Sequence, residues 1–253
     1  MAHILITNDD GIQAEGLRAL AEGLAGLGRI SIVAPNRERS AAAQSLTLRQ
    51  PIVCEQRGEN EWAVEGTPAD AVIVALHKLL PEPPDLVVSG INRGANMGEN
   101  VYYSGTVGAA REATIHNIPA FAVSVAHRGK DFQYEQAARF ARALAQIILK
   151  EGLPKEVLLN VNVPLRWRGG VQFVRQSKKI TRNLLQEGAD PRGRRYFWLH
   201  EQQMDKDIEE NTDYAAIRDG AIAVTPLHLD HTHATSLNHL SHWAKLLESA
   251  LKK

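Results

Sequence analysis

The chain is 253 residues long, enough to bury a full core as one large domain or as a domain with an extension. Its 44% hydrophobic and 23% charged residues are those of a soluble globular protein, and 29 Lys and Arg balance 29 Asp and Glu, so no global field draws nucleic acid or an anionic membrane and any anion site must be local. The single cysteine, Cys54, excludes an intrachain disulfide and a cysteine-rich metal site and fits a reducing cytosol, while no apolar run nears the ~20 residues that span a bilayer and the N-terminus lacks the pattern of a secretory leader.

Ile4, Leu5 and Ile6 form an unbroken apolar run that reads as a buried strand, and Asn8, Asp9, Asp10 and Gly11 follow at its carboxyl end. In open α/β sheets that edge is where ligands bind. Two adjacent carboxylates repel, and a hard divalent cation, which takes oxygen ligands, would offset the repulsion. A solvated Asn-Asp-Gly turn is the alternative. Residues 14–28 are a helix candidate, with Leu17, Leu20, Ala21, Leu24 and Leu27 on one face and Gly28 at its C-terminal end. A second strand at 30–34 stops at Pro35, and the β-α-β unit predicts a parallel sheet with a right-handed crossover. NRERSAAAQS at 36–45 then borders the same edge. Ser40 could be a metal or phosphate ligand there, and Arg37 and Arg39 could hold an anion; a plain polar loop is the other reading.

Residues 46–66 look like short strands with polar turns. Thr67 then reads as the N-cap of a helix, with Pro68 at its first position and Asp70 closing a capping-box-like pair; the helix runs to about Leu80, where PEPP ends it. Another buried strand at 85–89 runs into GINRGANMG at 90–98, where three glycines and two asparagines suggest a backbone that approaches a ligand closely. This is not the GxGxxG dinucleotide fingerprint, so NAD is not implied. Asn92 is the leading extra oxygen ligand for a cation. Tyr103, Ser104, Gly105 and Thr106 precede a helix at 107–116, and hydroxyls with free N–H groups at a helix N-terminus make an anion site or simply cap the helix. A fourth buried strand follows at 120–125, a long amphipathic helix at 134–150, and a fifth strand at 158–163, ended by Pro164.

The pattern changes after Pro164, dividing a catalytic core at 1–164 from a C-terminal segment at 165–253. Residues 166–201 interleave Arg and Lys with Phe173, Tyr196, Phe197 and Trp198. Zero net charge and the lack of an RNA-binding motif favour a long β-hairpin used in subunit contact over a nucleic-acid surface. Residues 205–213 are acidic and expected to lie exposed, and 221–226 return to a strand. His228, His231 and His233 match no zinc spacing. Leu237, Leu240, Ala244, Leu247 and Leu251 line a final amphipathic helix, to be packed on its own core or on a partner subunit.

Together, Asp9, Asp10, Ser40, Asn92, Asn96, Ser104 and Thr106 should converge on the carboxyl edge of one parallel sheet. Oxygen-only metal ligands beside an anion site are what metal-assisted phosphate hydrolysis requires. Here the chain closely resembles the survival protein E (SurE) family of metal-dependent nucleotidases. The resemblance rests on TNDDGIQAEG at 7–16, APNRERSAAAQSLTL at 34–48, GTPADAV at 66–72, VSGINRGANMGENVYYSGTVGAAREA at 88–113, LNVNVP at 159–164, DPRGRRYFWL at 190–199 and TDYAAIRDGAIAVTPLHLD at 212–230, in that order and over nearly the whole chain. It implies a Rossmann-like α/β three-layer sandwich with a mostly parallel sheet, and a C-terminal extended hairpin and helix exchanged between subunits of a homodimer or homotetramer. It also implies one divalent cation per subunit, Mg²⁺ or Mn²⁺, on Asp9, Asp10, Ser40 and Asn92. Asn96, Ser104, Gly105 and Thr106 would hold the phosphate of a nucleoside 5′- or 3′-monophosphate, and some members also act on short polyphosphate. The expected protein is cytoplasmic, with no nucleic-acid partner and no membrane.

The expected reaction is metal-assisted attack of water on phosphorus, with Asp9 and Asn96 as the catalytic pair and Asp9 a candidate to take the water's proton. An aspartyl-phosphate route through Asp9 is disfavoured, because it usually goes with Asp-x-Asp rather than adjacent aspartates. The non-enzymatic rival is a nucleotide- or phosphate-binding module, which needs no metal cluster.

Overall fold

The computed structural model describes residues 1–127, 129, 131–178, 181–203 and 208–251. Its centre is β1 (His3–Thr7), buried along its whole length. Ile4 and Ile6 face one side of the sheet and Leu5 the other, so an unbroken apolar run is what a strand covered on both faces requires. β1 pairs in parallel with β2 (Arg29–Pro35) on one side and β5 (Leu86–Arg93) on the other. Beyond β2 come β4 (Glu61–Val64) and β3 (Cys54–Gly58). Beyond β5 come β6 (Ala120–Ala126), β7 (Val157–Pro164), β11 (Ile222–His228) and β8 (Val171–Phe173), giving the order β3-β4-β2-β1-β5-β6-β7-β11-β8. Within this sheet, among the described residues, only the β3–β4 and β7–β11 pairs are antiparallel. The mostly parallel α/β sheet is therefore as expected.

Helices cover both faces. On one side lie α1 (Glu15–Leu24) and α5 (Glu135–Glu151), whose Leu17, Leu20, Leu24, Ala141, Leu144 and Ile148 pack on Ile4, Ile6, Val88 and Phe121. On the other lie α2 (Pro68–Val74) and α4 (Gly105–Ile115), whose Ala71, Val72, Val107, Ala110 and Ala113 pack on Leu5, Val33, Val87 and Ala122. A short helix, α3 (Asn100–Tyr103), leads into α4.

The capping box expected at Thr67 is present: Thr67 Oγ1 accepts the Asp70 N–H at 3.1 Å and Asp70 accepts the Thr67 N–H at 2.8 Å. Asp70 also accepts both the N–H and the hydroxyl of Thr47, at 3.0 and 2.6 Å, which anchors the loop after β2. The α-helix ends at Val74, and a π-helical turn at Ala75–Leu79 completes the span expected to reach Leu80.

Several expectations need correction. α1 stops at Leu24, and Gly28 is not its cap. Gly28 instead lies against the backbone of Ala2, where an added Cβ would come within 2.1 Å of the carbonyl oxygen. The glycine-rich run does not leave the sheet after Ser89; β5 continues to Arg93 through a bulge. In the acidic stretch, residues 205–207 lie outside the described residues, and Asp213 is fully buried rather than exposed. Asp213 accepts N–H groups of Gly98, Ser177 and Tyr214 at 2.9, 3.1 and 2.8 Å, so it fastens the end of the glycine-rich loop to the C-terminal segment, at the start of α6 (Asp213–Arg218). The last helix is two helices, α7 (Ala234–Leu240) and α8 (Trp243–Leu251), with no buried residue in either. The expected hairpin is present as β9 (Thr181–Ala189) and β10 (Arg195–Gln203), paired antiparallel.

Asp70→Ala removes the acceptor for three donors at once. Urea unfolding should show a loss of about 2–3 kcal/mol with an unchanged slope.

Candidate active site

A cleft of about 720 Å³ opens at the carboxyl edge of β1 and β5, and its walls include Asp9, Asp10, Ser40, Asn92, Asn96 and Ser104. These six come from four separate stretches of chain. The structure brings them together with Glu38, Arg93, Tyr103, His127, Phe132 and Leu199, which the sequence reading did not single out as site residues. Gly105 and Thr106 are not on the wall but directly behind it. The Thr106 hydroxyl is hydrogen-bonded to the Asp9 carboxylate. A Cβ on Gly105 would sit 2.8 Å from the Asp9 Cβ, so only glycine lets α4 come this close.

Each side chain is placed by a local device. Asn8 turns back and closes the loop, donating to the Gly11 carbonyl at 3.0 Å and accepting the Gly11 N–H at 3.2 Å, with Gly11 at φ 100°. That turn leaves the next two carboxylates to the cleft. The Asp9 carbonyl accepts the Arg39 N–H at 2.7 Å, which ties the Ser40 loop to β1; the Ala43 N–H ties its other end to Tyr103 at 2.9 Å. Ser40 donates its hydroxyl to Glu38 at 2.5 Å.

Asn92 owes its direction to the bulge. Between Ser89 and Asn92, β5 takes three steps where β6 takes two. Ile91 is thereby buried on the α1 side, and Asn92 comes into register with Ser124. Gly90 makes the bulge possible: it has φ 143°, and a Cβ there would come within 2.4 Å of the Val123 carbonyl oxygen. Asn92 donates its amide nitrogen to the Gly94 carbonyl at 2.8 Å, which leaves its amide oxygen as the free end. The Arg93 N–H binds Asp10 at 3.1 Å.

Burial raises the Asp9 carboxyl above its ordinary range, against the Thr106 hydrogen bond that favours its charge. Asp10 is pushed up to about 6, by burial first and by the Asp9 charge second. Tyr134 is raised by burial and then by Asp10. A buried and a half-buried carboxylate in succession, with a hydroxyl and an amide oxygen lining the same cleft, form a donor set suited to a hard divalent cation, whose charge would offset their repulsion. Among the described residues no cluster of three or more His, Cys, Asp or Glu could hold a metal. His233 instead caps α7 by accepting the Ser236 N–H, and His228 accepts the Asp230 N–H at 2.9 Å.

The raised Asp10 carries a stability cost with a definite sign. Its folded pKa of about 6 lies above the ordinary 3.8, so the folded chain holds the proton more tightly than the unfolded chain. The contribution favours folding at low pH and is lost as pH rises through about 6. Asp10→Asn should therefore stabilise the metal-free protein at pH 8 by about 1–2 kcal/mol after solvent screening, while weakening divalent-metal binding; thermal melts with and without chelator check both.

Residues 4–183 match the family model described as Survival protein SurE. A protein named 5′-nucleotidase SurE from Syntrophotalea carbinolica is 48% identical over 244 residues, covering 95% of this chain and 97% of its own. One of the same name from Moorella thermoacetica is 45% identical, with 96% of each chain covered. The crystal structure of the SurE protein from Aquifex aeolicus matches with a TM-score of 0.87 at 36% identity, covering 96% of this chain and 99% of that one. Full-length identity of this degree, on the same fold, decides the matter: the chain belongs to the survival protein SurE family.

Proposed function

We infer that this protein is a 5′-nucleotidase, hydrolysing nucleoside 5′-monophosphates to nucleoside and phosphate with a divalent cation. The observation that carries the reading is the meeting of Asp9, Asp10, Ser40, Asn92, Asn96 and Ser104 in one cleft of about 720 Å³, a volume suited to a mononucleotide. The relatives' shared name, 5′-nucleotidase SurE, supports it. Asp9, Asp10, Ser40 and Asn92 would hold one cation per subunit, Mg²⁺ or Mn²⁺. When bound, it supplies Lewis-acid polarisation of a phosphoryl oxygen.

The chain's own residues do the rest. Asn96 and Ser104 orient the phosphate and offset its developing charge. Thr106, whose hydroxyl bonds Asp9, and Gly105, packed against it, support the phosphate site from behind and keep Asp9 aimed. Water attacks phosphorus in line with the ester oxygen, the P–O bond to the nucleoside breaks as the departing oxygen is protonated from solvent, and Asp9 takes the water's proton. A carboxyl whose basicity is raised by burial suits that step. Nucleoside 3′-monophosphates and short polyphosphate are further substrates in this reading.

Residues 1–164 form the catalytic core, and 165–253 form the oligomerisation segment, whose returning strand β11 is built into the core's sheet. Leu185, Phe197, Trp198, Trp243, Leu246, Leu247 and Leu251 are all exposed, and so much apolar surface on the hairpin and α8 is best met by a second copy in a homodimer or homotetramer. No helix among the described residues is long and apolar enough to cross a membrane. The free Cys54 supports a cytoplasmic setting.

Metal-stripped protein given a panel of nucleoside monophosphates should release phosphate only when Mg²⁺ or Mn²⁺ is restored. Folded protein that releases none with any metal would make it a binding module instead. Asp9→Asn should lower kcat by about 10³-fold or more while the circular dichroism spectrum is kept; full metal-dependent activity in that variant would overturn the ligand assignment.

A further inference from the structure

The LNVNVP motif at 159–164 lies on β7, away from every role assigned so far. β7 is covered on both faces, and an amide there is costly unless it is hydrogen-bonded. Asn160 and Asn162 are both 0% exposed. Two residues apart on a strand, they point to the same face.

Their hydrogen bonds converge on one residue of the glycine-rich loop. Asn162 accepts the Asn96 backbone N–H at 2.9 Å and donates to the Asn96 carbonyl at 3.0 Å. Asn160 donates to the same carbonyl at 2.7 Å. On the neighbouring strand, Ser124, in register with Asn162, accepts from the Asn96 side-chain amide at 2.9 Å. Asn96 lies in a loop, yet its backbone donor, backbone acceptor and side chain are all fixed from the sheet. An amide nitrogen has two hydrogens, so the bond to Ser124 leaves one for a phosphoryl oxygen.

We propose that Asn160 and Asn162 are positioning residues for phosphate hydrolysis, acting through Asn96. The proposal rests on the reading of Asn96 as a phosphate ligand. A donor aimed at developing charge is effective only when it is held in place before the reaction, and a clamp on both backbone groups of the donor residue does that. Neither asparagine lines the cleft, so neither touches substrate.

A double-mutant cycle tests it. Asn162→Ala should lower kcat on a nucleoside 5′-monophosphate by about 10- to 100-fold, the scale of a small misplacement of a reacting group, with Mn²⁺ affinity within about two-fold of the parent. In an Asn96→Ala background the same change should lower kcat by less than about two-fold, because the group it positions is gone. Inorganic phosphate binding to the Mn²⁺-loaded protein, read by calorimetry, should show the same non-additivity without turnover. Losses that multiply in the double variant, or a parallel fall in Mn²⁺ affinity, would mean a general structural role and overturn the proposal. An active Asn162→Ala beside a crippled Asn96→Ala overturns the clamp alone. An Asn96→Ala variant with unchanged kcat and phosphate affinity overturns the reading of Asn96 and the clamp with it. If Asn162→Ala does not fold, Asn160→Ser, which shortens the side chain that donates to the Asn96 carbonyl, takes its place with an expected loss of about 5- to 10-fold and the same non-additivity; a loss that multiplies with Asn96→Ala, or none at all, would overturn the clamp.

Discussion

Two adjacent carboxylates at the end of the central strand, Asp9 buried and Asp10 half-buried, set the terms for everything around them. Burial acts against the charge of both, and the Asp9 charge acts further against that of Asp10. The surrounding elements answer with hydrogen-bond donors: α4 presents the Thr106 hydroxyl to Asp9, and β5 presents the Arg93 N–H to Asp10. The anion at the N-terminus of α4 is thus the protein's own side chain, and the helix dipole works on Asp9 before any phosphate arrives. The close approach this demands explains why α4 begins with glycine.

The second constraint is geometric. A strand presents alternate residues to alternate faces, so a regular β5 could not send both its apolar core residues inward and Asn92 to the cleft in the observed register. The extra residue between Ser89 and Asn92 resolves the conflict. Ile91 stays in the core, Asn92 reaches the site, and the loop beyond begins close enough to β7 for Asn160 and Asn162 to take hold of Asn96. One insertion in one strand serves the metal side and the phosphate side together.

Much of this was legible in the sequence because the signals were local. An apolar run followed by Asn-Asp-Asp-Gly, the Thr67–Asp70 capping pair and the long amphipathic α5 each carry their meaning within a few residues, and each stands where expected. What was not legible depends on distant partners. Gly28 looked like a helix cap, but its reason is the Ala2 carbonyl. Asp213 sat in an acidic run that implies solvent, yet it serves backbone donors more than a hundred residues away in the chain, at Gly98. Thr106 looked like a free hydroxyl at a helix start, and its partner, Asp9, arrives from β1. The asparagines of β7 did give a signal, polar residues at alternate positions in a buried strand, but nothing in the sequence says which group they hold.

Leu199, on β10, lies on the cleft wall. β9 and β10 hydrogen-bond to each other and form a sheet separate from the nine-stranded one. The opposite wall is therefore a fixture of the central sheet, while this one belongs to a ribbon with its own twist and its own attachment. Cleft width at Leu199 then depends on how the ribbon sits as well as on the residues of the sheet edge. Sequence drift in the ribbon can reshape what the cleft admits while leaving the chemistry at its floor untouched.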